Sequence, residues 1–228
     1  MTSGSSASSL PQSEVKNGFV LAGGESMRMG TDKALVEFGG RPLVARALDI
    51  LRGAGLSVSI AGSRTAALAA YAPIVPDAQT ARGPLAGICA ALASTSAPRA
   101  AFLSVDAPLI PVSLLTYLLH HAQTTDALAT LVSVNGFTQT FPAILDRRAI
   151  QSLHQSLLSG HSGCFKAFKS ACASLAMPLH VLPVERLIQS GQVAHPAALP
   201  AYLWFTNINN QDDLTRAEHL FHAPQGLI

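Results

Sequence analysis

Two cations and a pair of glycines follow closely on the first apolar segment of the chain. Residues 18–35 read GFVLAGGESMRMGTDKAL. Gly23 and Gly24 would let the backbone approach a phosphate and turn its N–H groups toward it. Arg28 would offer a planar fork to phosphate oxygens, and Lys33 a mobile point charge. Together they would neutralise a triphosphate that is losing pyrophosphate. Read by itself, the segment also fits a glycine turn with two exposed basic residues. Neither GxxxxGK[ST] nor GxGxxG follows this strand, which argues against a P-loop ATPase and a Rossmann dehydrogenase.

Three further places carry residues suited to a site. Asp106 stands just after the apolar run Ala100 to Val105, where it would either face a ligand or cap the next turn. Asp77 after Pro76 and the pair Gly83-Pro84 each fit a turn or the start of a helix. Asn207 and Asn209 alternate, so on a strand both side chains would face one side, where they would either orient a metal or acceptor or simply start the last helix.

The elements that must position these residues alternate along the first half. Asn17 to Leu21 reads as the first strand. Arg41 to Arg52 has apolar groups at helical spacing, with Pro42 suited to a first turn. Ser57 to Ala61 reads as a strand, Thr65 to Tyr71 as a helix, and Ile74-Val75 as a short strand. Leu85 to Ser94 is a small-residue helix, Ala100 to Val105 a buried strand, and Ser113 to His121 a helix. This rhythm predicts an α/β fold with a doubly wound, mostly parallel sheet, and ligands bind such sheets beyond the carboxyl ends of the strands. After residue 125 the rhythm changes. Ala127 to Val134 and Thr138 to Leu145 flank Asn135-Gly136, which predicts an antiparallel hairpin extension. A helix over Asp146 to Ser159, a loop over Ser190 to Pro200, and a final strand and helix complete the expectation. Residues 1–16 read as a flexible tail and 17–228 as one domain.

Composition bounds the partners. The chain has 228 residues, 49% of them hydrophobic and 12% charged, which suits a compact domain with a buried sheet. A formal net charge of +2 argues for neither nucleic acid nor membrane. No secretory signal or bilayer-length apolar run is evident, so a cytoplasmic location is expected. Cys89, Cys164 and Cys172 form neither a disulfide framework nor a zinc motif, and read as small buried side chains. The scattered histidines, including His120-His121, His219 and His222, read as surface or packing residues.

LAGGESMRMGTDKAL resembles the signature loop of the nucleotidyltransferases, and most specifically that of the molybdenum cofactor guanylyltransferases. Pro76-Asp77 with Gly83-Pro84-Leu85-Ala86-Gly87 is similar to that family's second nucleotide-binding stretch. Ser104-Val105-Asp106-Ala107-Pro108 resembles its metal-binding strand end, and Phe205-Thr206-Asn207-Ile208-Asn209 its C-terminal motif. The resemblance runs over roughly residues 17–221, with the motifs in the family's order. It implies transfer of GMP from GTP to the phosphate of a molybdopterin-type cofactor, with Mg²⁺ bound by Asp106 and pyrophosphate released. It also implies that Leu21, Ala22 and Gly23 line base and ribose, and that Gly24 lets the loop close on the phosphates. Arg28 and Lys33 then bind the phosphates, Asp77 contacts guanine or fixes its loop, and Gly83, Pro84, Leu85 and Gly87 open a helix against the nucleotide. Arg28, Lys33 and Asp106 form the implied catalytic set. Molybdoenzymes or cofactor-insertion proteins are the implied recipients of the product.

The chain departs from the family's pattern in two places. It reads Ile60-Ala61-Gly62-Ser63 where some members carry an Asn that contacts the nucleotide, and NINNQDDL where NINTPEDL is usual. Gln139 to Pro142 loosely resembles the pterin-facing stretch. Arg147, Arg148, Lys166 and Lys169 would attract an acceptor phosphate or form a solvated helix face. Trp204 and Phe205 read as core rather than as a base-stacking platform. Two rival functions share the same loop: a cytidylyltransferase or other small-molecule nucleotidyltransferase, and a non-catalytic nucleotide-binding protein. Relatives preferring cytosine more often carry Ala-Ala-Gly where Ala22-Gly23-Gly24 stands, which leans toward GTP. A protein that only bound nucleotide would not need the full set Arg28, Lys33 and Asp106.

Overall fold

The computed structural model describes residues 16–23, 32–62, 65–77, 83–160 and 163–222. The expected tail, apart from Lys16, lies outside these residues, as do Gly24 and Arg28. In chain order the first half forms β1 (Asn17–Leu21), β2 (Glu37–Phe38), β3 (Arg41–Pro42), α1 (Leu43–Gly53), β4 (Ser57–Ala61), β5 (Ile74–Val75), α2 (Pro84–Ser94), β6 (Arg99–Ser104) and α3 (Val112–Thr125). The second half forms β7 (Ala129–Val134), β8 (Phe137–Asp146), α4 (Ile150–Leu158), α5 (Cys164–Ser174), β9 (Leu179–Pro183), α6 (Val184–Gln189), α7 (Ala201–Trp204) and α8 (Gln211–His222).

Seven strands make one sheet in the order β5-β4-β1-β6-β8-β7-β9. β1 pairs in parallel with β4 and with β6, and β4 in parallel with β5. β8 runs against both β6 and β7, and β9 is parallel to β7. This is the mostly parallel sheet with a hairpin extension that the sequence predicts. The chain steps outward from β1 through β4 to β5, then crosses back to lay β6 on the other side of β1. The order therefore reverses between β1 and β6. In an open parallel sheet that reversal leaves a crevice outside the strand ends.

Alternation along the strands feeds two cores. Val20 joins Leu43, Val44, Leu48, Leu114, Leu118 and Trp204 on one face. Phe19 and Leu21 join Leu85, Ile88, Phe102, Leu131 and Phe168 on the other. Helices thus cover both faces, with α1 and α3 on one side and α2, α4 and α5 on the other. At the hairpin turn, Asn135 and Gly136 both have positive φ, as the tightest two-residue turn requires. All three cysteines are free and buried. Burial pushes the Cys89 and Cys172 thiols up to about 11, and that of Cys164 to about 12. Among the described residues, no helix is long and apolar enough to cross a membrane.

The structure differs from the sequence reading in several elements. The segment expected as a helix over Thr65 to Tyr71 is a 3-10 turn over Ala66–Ala70, too short to sustain α-helical propagation. Residues 37–42, before α1, form a separate two-stranded hairpin, with Gly39 and Gly40 turning at positive φ. The expected last strand is absent. Pro200, with extended backbone, instead leads into the one-turn helix α7, and residues 205–210 are irregular. Asn207 and Asn209 therefore do not share a strand face. The Ile208 N–H donates to the Asp106 carbonyl at 3.0 Å rather than to a sheet ladder.

Candidate active site

Lys33 and Asp106 come from opposite sides of the strand-order reversal. β1 leads into the loop that carries Lys33, and β6 ends at Ser104, two residues before Asp106. The two strands stay paired past their regular ends, because the Val105 N–H donates to the Leu21 carbonyl at 3.2 Å. Both side chains consequently emerge at the carboxyl edge of adjacent parallel strands.

A short helical turn, Lys33–Leu35, sets the position of Lys33. Asp32 caps it by accepting from the Ala34 N–H at 3.0 Å. The Thr65 hydroxyl donates to the other Asp32 oxygen. Asp32 thus ties the turn after β1 to the segment after β4. Its place directly before the turn was a legible capping signal. Nothing in the sequence pointed to Thr65.

The Lys33 ammonium lies 2.8 Å from Asp106 Oδ2 and 2.7 Å from Asn209 Oδ1. The Lys33 side chain is 13% exposed and that of Asp106 20%, so the pair is sheltered but reachable. The Ser104 hydroxyl donates to Asp106 Oδ1 at 2.5 Å. Asn209 is itself fixed: its N–H donates to Asp213 Oδ2 at 3.0 Å, and the Asp213 N–H donates to Asn210 Oδ1 at 2.8 Å. Asp213 and Asn210 thus anchor the start of α8. The paired asparagines, ambiguous in the sequence, resolve into one residue on the Lys33–Asp106 pair.

The glycines do a different task from holding space open. A Cβ on Gly23 would sit 2.6 Å from the Gly62 carbonyl oxygen. A Cβ on Gly87 would sit 3.3 Å from the Gly62 Cα and N. The chain after β1, the turn after β4 and the first turns of α2 therefore meet backbone to backbone. Gly62 has φ +76°, a conformation that favours glycine. Packing alone thus requires glycine at position 23, whatever base is bound. Gly62 supplies the close approach on which Gly23 and Gly87 both pack.

The remaining candidate residues among those described occupy the same edge of the sheet. Gly83, with φ +93° and no side-chain cap bond, precedes Pro84 in the first turn of α2. Leu85 is buried in the second core, while Gly87 packs on Gly62. Asp77 follows β5, two strands away from β1 in the sheet. Leu21 and Ala22 continue β1, the Ala22 N–H donating to the Ala61 carbonyl at 3.1 Å. Arg28 and Gly24 lie outside the described residues, so their part in the convergence stays an expectation.

Two of the basic residues considered for the acceptor, Arg148 and Lys169, are engaged elsewhere. Arg148 pairs with Asp126 at 2.7 Å and Asp146 at 2.8 Å, and Arg99 reaches Asp126 at 2.5 Å. Arg99 opens β6 and Asp146 closes β8, so this cluster lies at the end of the sheet opposite Asp106. The Asp146 and Asp126 carboxylates hold the Arg148 guanidinium well above its ordinary value. Lys169 lies over the Phe165 ring at 5.8 Å. Trp204 is buried, with its indole N–H donating to the Leu199 carbonyl at 2.7 Å, so it belongs to the core. A cavity of about 630 Å³ between α2 and α4 shares only Ala86 with the segment 83–87 and takes in neither Lys33 nor Asp106.

Oxygen donors converge on a cation here. Asp106 Oδ2 and Asn209 Oδ1 both surround the Lys33 ammonium, which stands where a small hard cation would find one carboxylate and one amide oxygen. Among the described residues, no group of three or more His, Cys, Asp or Glu side chains gathers to hold a metal. A divalent ion at Asp106 would therefore complete its shell with water and substrate oxygens, the arrangement Mg²⁺ favours.

Comparison with known proteins agrees with this architecture. The family model of the MobA-like NTP transferase domain matches residues 18–174. A molybdenum cofactor guanylyltransferase from Pseudomonas putida is 35% identical over 154 residues, covering 65% of this chain and 79% of that protein. A probable molybdenum cofactor guanylyltransferase from Pelotomaculum thermopropionicum is 27% identical over 202 residues, covering 88% and 90%. Among solved structures, molybdopterin-guanine dinucleotide biosynthesis protein A from Archaeoglobus fulgidus superposes with a TM-score of 0.71 at 22% identity, covering 91% of this chain and 98% of that one.

Proposed function

Since the chain belongs to the MobA-like NTP transferase family and is a nucleotidyltransferase, we propose that it moves GMP from GTP to a molybdopterin-type cofactor. The acceptor is the terminal phosphate of that cofactor. One of its oxygens attacks the α-phosphorus of GTP. The bond from that phosphorus to the bridging β-phosphate oxygen breaks, and pyrophosphate leaves. The products are the guanine dinucleotide cofactor and pyrophosphate.

The observation that carries this reading is the meeting of Lys33, Asp106 and Asn209 at the reversal of strand order. Transfer between phosphates asks little covalent chemistry of a protein. It asks for alignment and for charge neutralisation in a sheltered site. In this reading Lys33 exchanges its carboxylate for phosphate oxygens, and Arg28 adds a second cation from the glycine loop. Gly24 lets the chain close on the phosphates. Leu21, Ala22 and Gly23 line base and ribose, and Gly83, Pro84, Leu85 and Gly87 open α2 against the nucleotide, where a helix start leaves main-chain N–H groups unpaired, as at Leu85; Pro84 has none to offer. Asp77 contacts guanine or steadies its loop. Asp106 holds Mg²⁺, which when bound would offset phosphate charge and steady the triphosphate.

Guanine rather than cytosine rests on the named relatives, since backbone packing already accounts for Gly23. Pyrophosphate release, measured with molybdopterin, Mg²⁺ and equal concentrations of GTP, CTP or ATP, tests the reading. GTP is expected to be the preferred donor. Faster turnover of CTP than GTP would overturn the guanylyl assignment. Nucleotide binding without pyrophosphate release in the presence of acceptor would overturn the transfer itself.

A further inference from the structure

We propose that Ser104 is a positioning residue for the carboxylate of Asp106, fixing which of its two oxygens is presented to a divalent cation. The inference rests on the reading that Asp106 holds that cation. The backbone of Asp106 is already constrained on two sides. The Val105 N–H donates to the Leu21 carbonyl at 3.2 Å, and the Asp106 carbonyl accepts from Ile208 at 3.0 Å. What remains free is the carboxylate's own torsion, which is broad and roughly two-fold for aspartate.

Ser104 closes that freedom. Ser104 is the last residue of β6, and the turn that follows, closed by the Ala107 N–H on the Ser104 carbonyl at 3.4 Å, brings the Ser104 and Asp106 side chains together. The Ser104 hydroxyl donates to Oδ1 at 2.5 Å, the short distance of a bond to an ionised oxygen. Oδ2 is left to the cation, which here is the Lys33 ammonium at 2.8 Å. When Lys33 turns to the phosphates of a nucleotide, the Ser104 bond still holds the carboxylate plane. Oδ2 then offers a single-oxygen ligand. Mg²⁺ demands near-octahedral geometry and tolerates misplaced donors poorly. Hydrogen bonds that orient ligating carboxylates commonly change metal affinity by about 10–100-fold when removed.

Binding of Mn²⁺, read by its free-ion paramagnetic resonance signal with a non-hydrolysable GTP analogue present, separates the possibilities. Ser104→Ala should weaken Mn²⁺ binding by roughly tenfold or more, while affinity for the analogue measured without metal stays unchanged. Ser104→Thr, which keeps the hydroxyl, should recover most of the loss. Wild-type Mn²⁺ affinity in Ser104→Ala, or equal weakening in the alanine and threonine variants, would overturn the role of Ser104. Asp106→Ala is the separate control. Loss of Mn²⁺ binding in that variant upholds the metal reading even where the Ser104 claim fails, and full retention would remove the metal reading itself.

Discussion

The Lys33 ammonium and the Asp106 carboxylate are 73 positions apart in sequence and 2.8 Å apart in space. Their pairing joins the chain after β1 to the end of β6 across the reversal in strand order between those strands. It also sets a competition. In the proposed reading a divalent ion drawn to Asp106 would displace a cation already in place, and triphosphate oxygens would supply Lys33 with another partner.

That competition predicts opposite effects from one substitution. Lys33→Ala should bind Mn²⁺ more tightly than wild type when no nucleotide is present. The same variant should lose turnover by roughly 10²–10³-fold, the scale expected when one preorganised charge-stabilising group is removed. Mn²⁺ titration and pyrophosphate release on a single preparation check both arms. Weaker Mn²⁺ binding in the variant would contradict the competition.

Asp32→Ala should act on Lys33 at a distance. The substitution removes a cap worth about 0.5–2 kcal/mol and frees the turn that carries the lysine. Denaturant unfolding should show a loss in that range, and turnover should fall beyond what the stability loss accounts for. Asp32→Asn retains an acceptor for the Ala34 N–H and should recover part of both. Unchanged turnover in Asp32→Ala would show that Lys33 finds its position without the cap.

Gly23→Ala should disturb the fold of the loop before it touches base preference. Its Cβ would press on the Gly62 carbonyl at 2.6 Å, and neither backbone can yield as a flexible side chain would. Overpacking of this kind costs about 1–3 kcal/mol. Thermal denaturation should record it, together with weaker binding of GTP and CTP alike. A stable variant that merely changed preference from GTP to CTP would show that room for the base, not backbone packing, governs this position.

The three thiols predict an alkaline limit to stability. Burial raises each of them in the folded chain, to about 11 for Cys89 and Cys172 and about 12 for Cys164. An unfolded thiol ionises near 8.5. The unfolded state therefore releases protons first, and the stability present below about pH 8.5 is lost as pH climbs toward the folded values. Unfolding free energy measured from pH 7 to pH 10 should decline, and less steeply in a variant with Cys164→Ala. Native protein at pH 8 should react slowly with a thiol reagent, and denatured protein should expose all three groups at once.

Local patterns announced much of this structure. The apolar run at β1, the helical spacing of α1 and the Asn135-Gly136 turn each carry their own physical cause, so they could be read without tertiary context. Lys33 and Asp106 were legible by type and by place at strand ends. Asn209 was not. Its alternation with Asn207 suggested a strand, whereas the segment is held by the Asp106 carbonyl and by the start of α8, contacts that depend on distant residues. The glycine meeting of Gly23, Gly62 and Gly87 was hidden for the same reason. Each glycine looks like a turn residue alone, and only the packed fold brings the three together. Thr65 and Ser104 are small hydroxyl residues of a kind found throughout the chain, and their roles arise from neighbours rather than from any spacing.

Turnover by Asp106→Ala is the most direct measure of whether these groups form one catalytic centre. With GTP, molybdopterin and Mg²⁺, pyrophosphate release should fall by at least about 10²-fold, while circular dichroism still reports the native fold. Release at the wild-type rate would contradict the account.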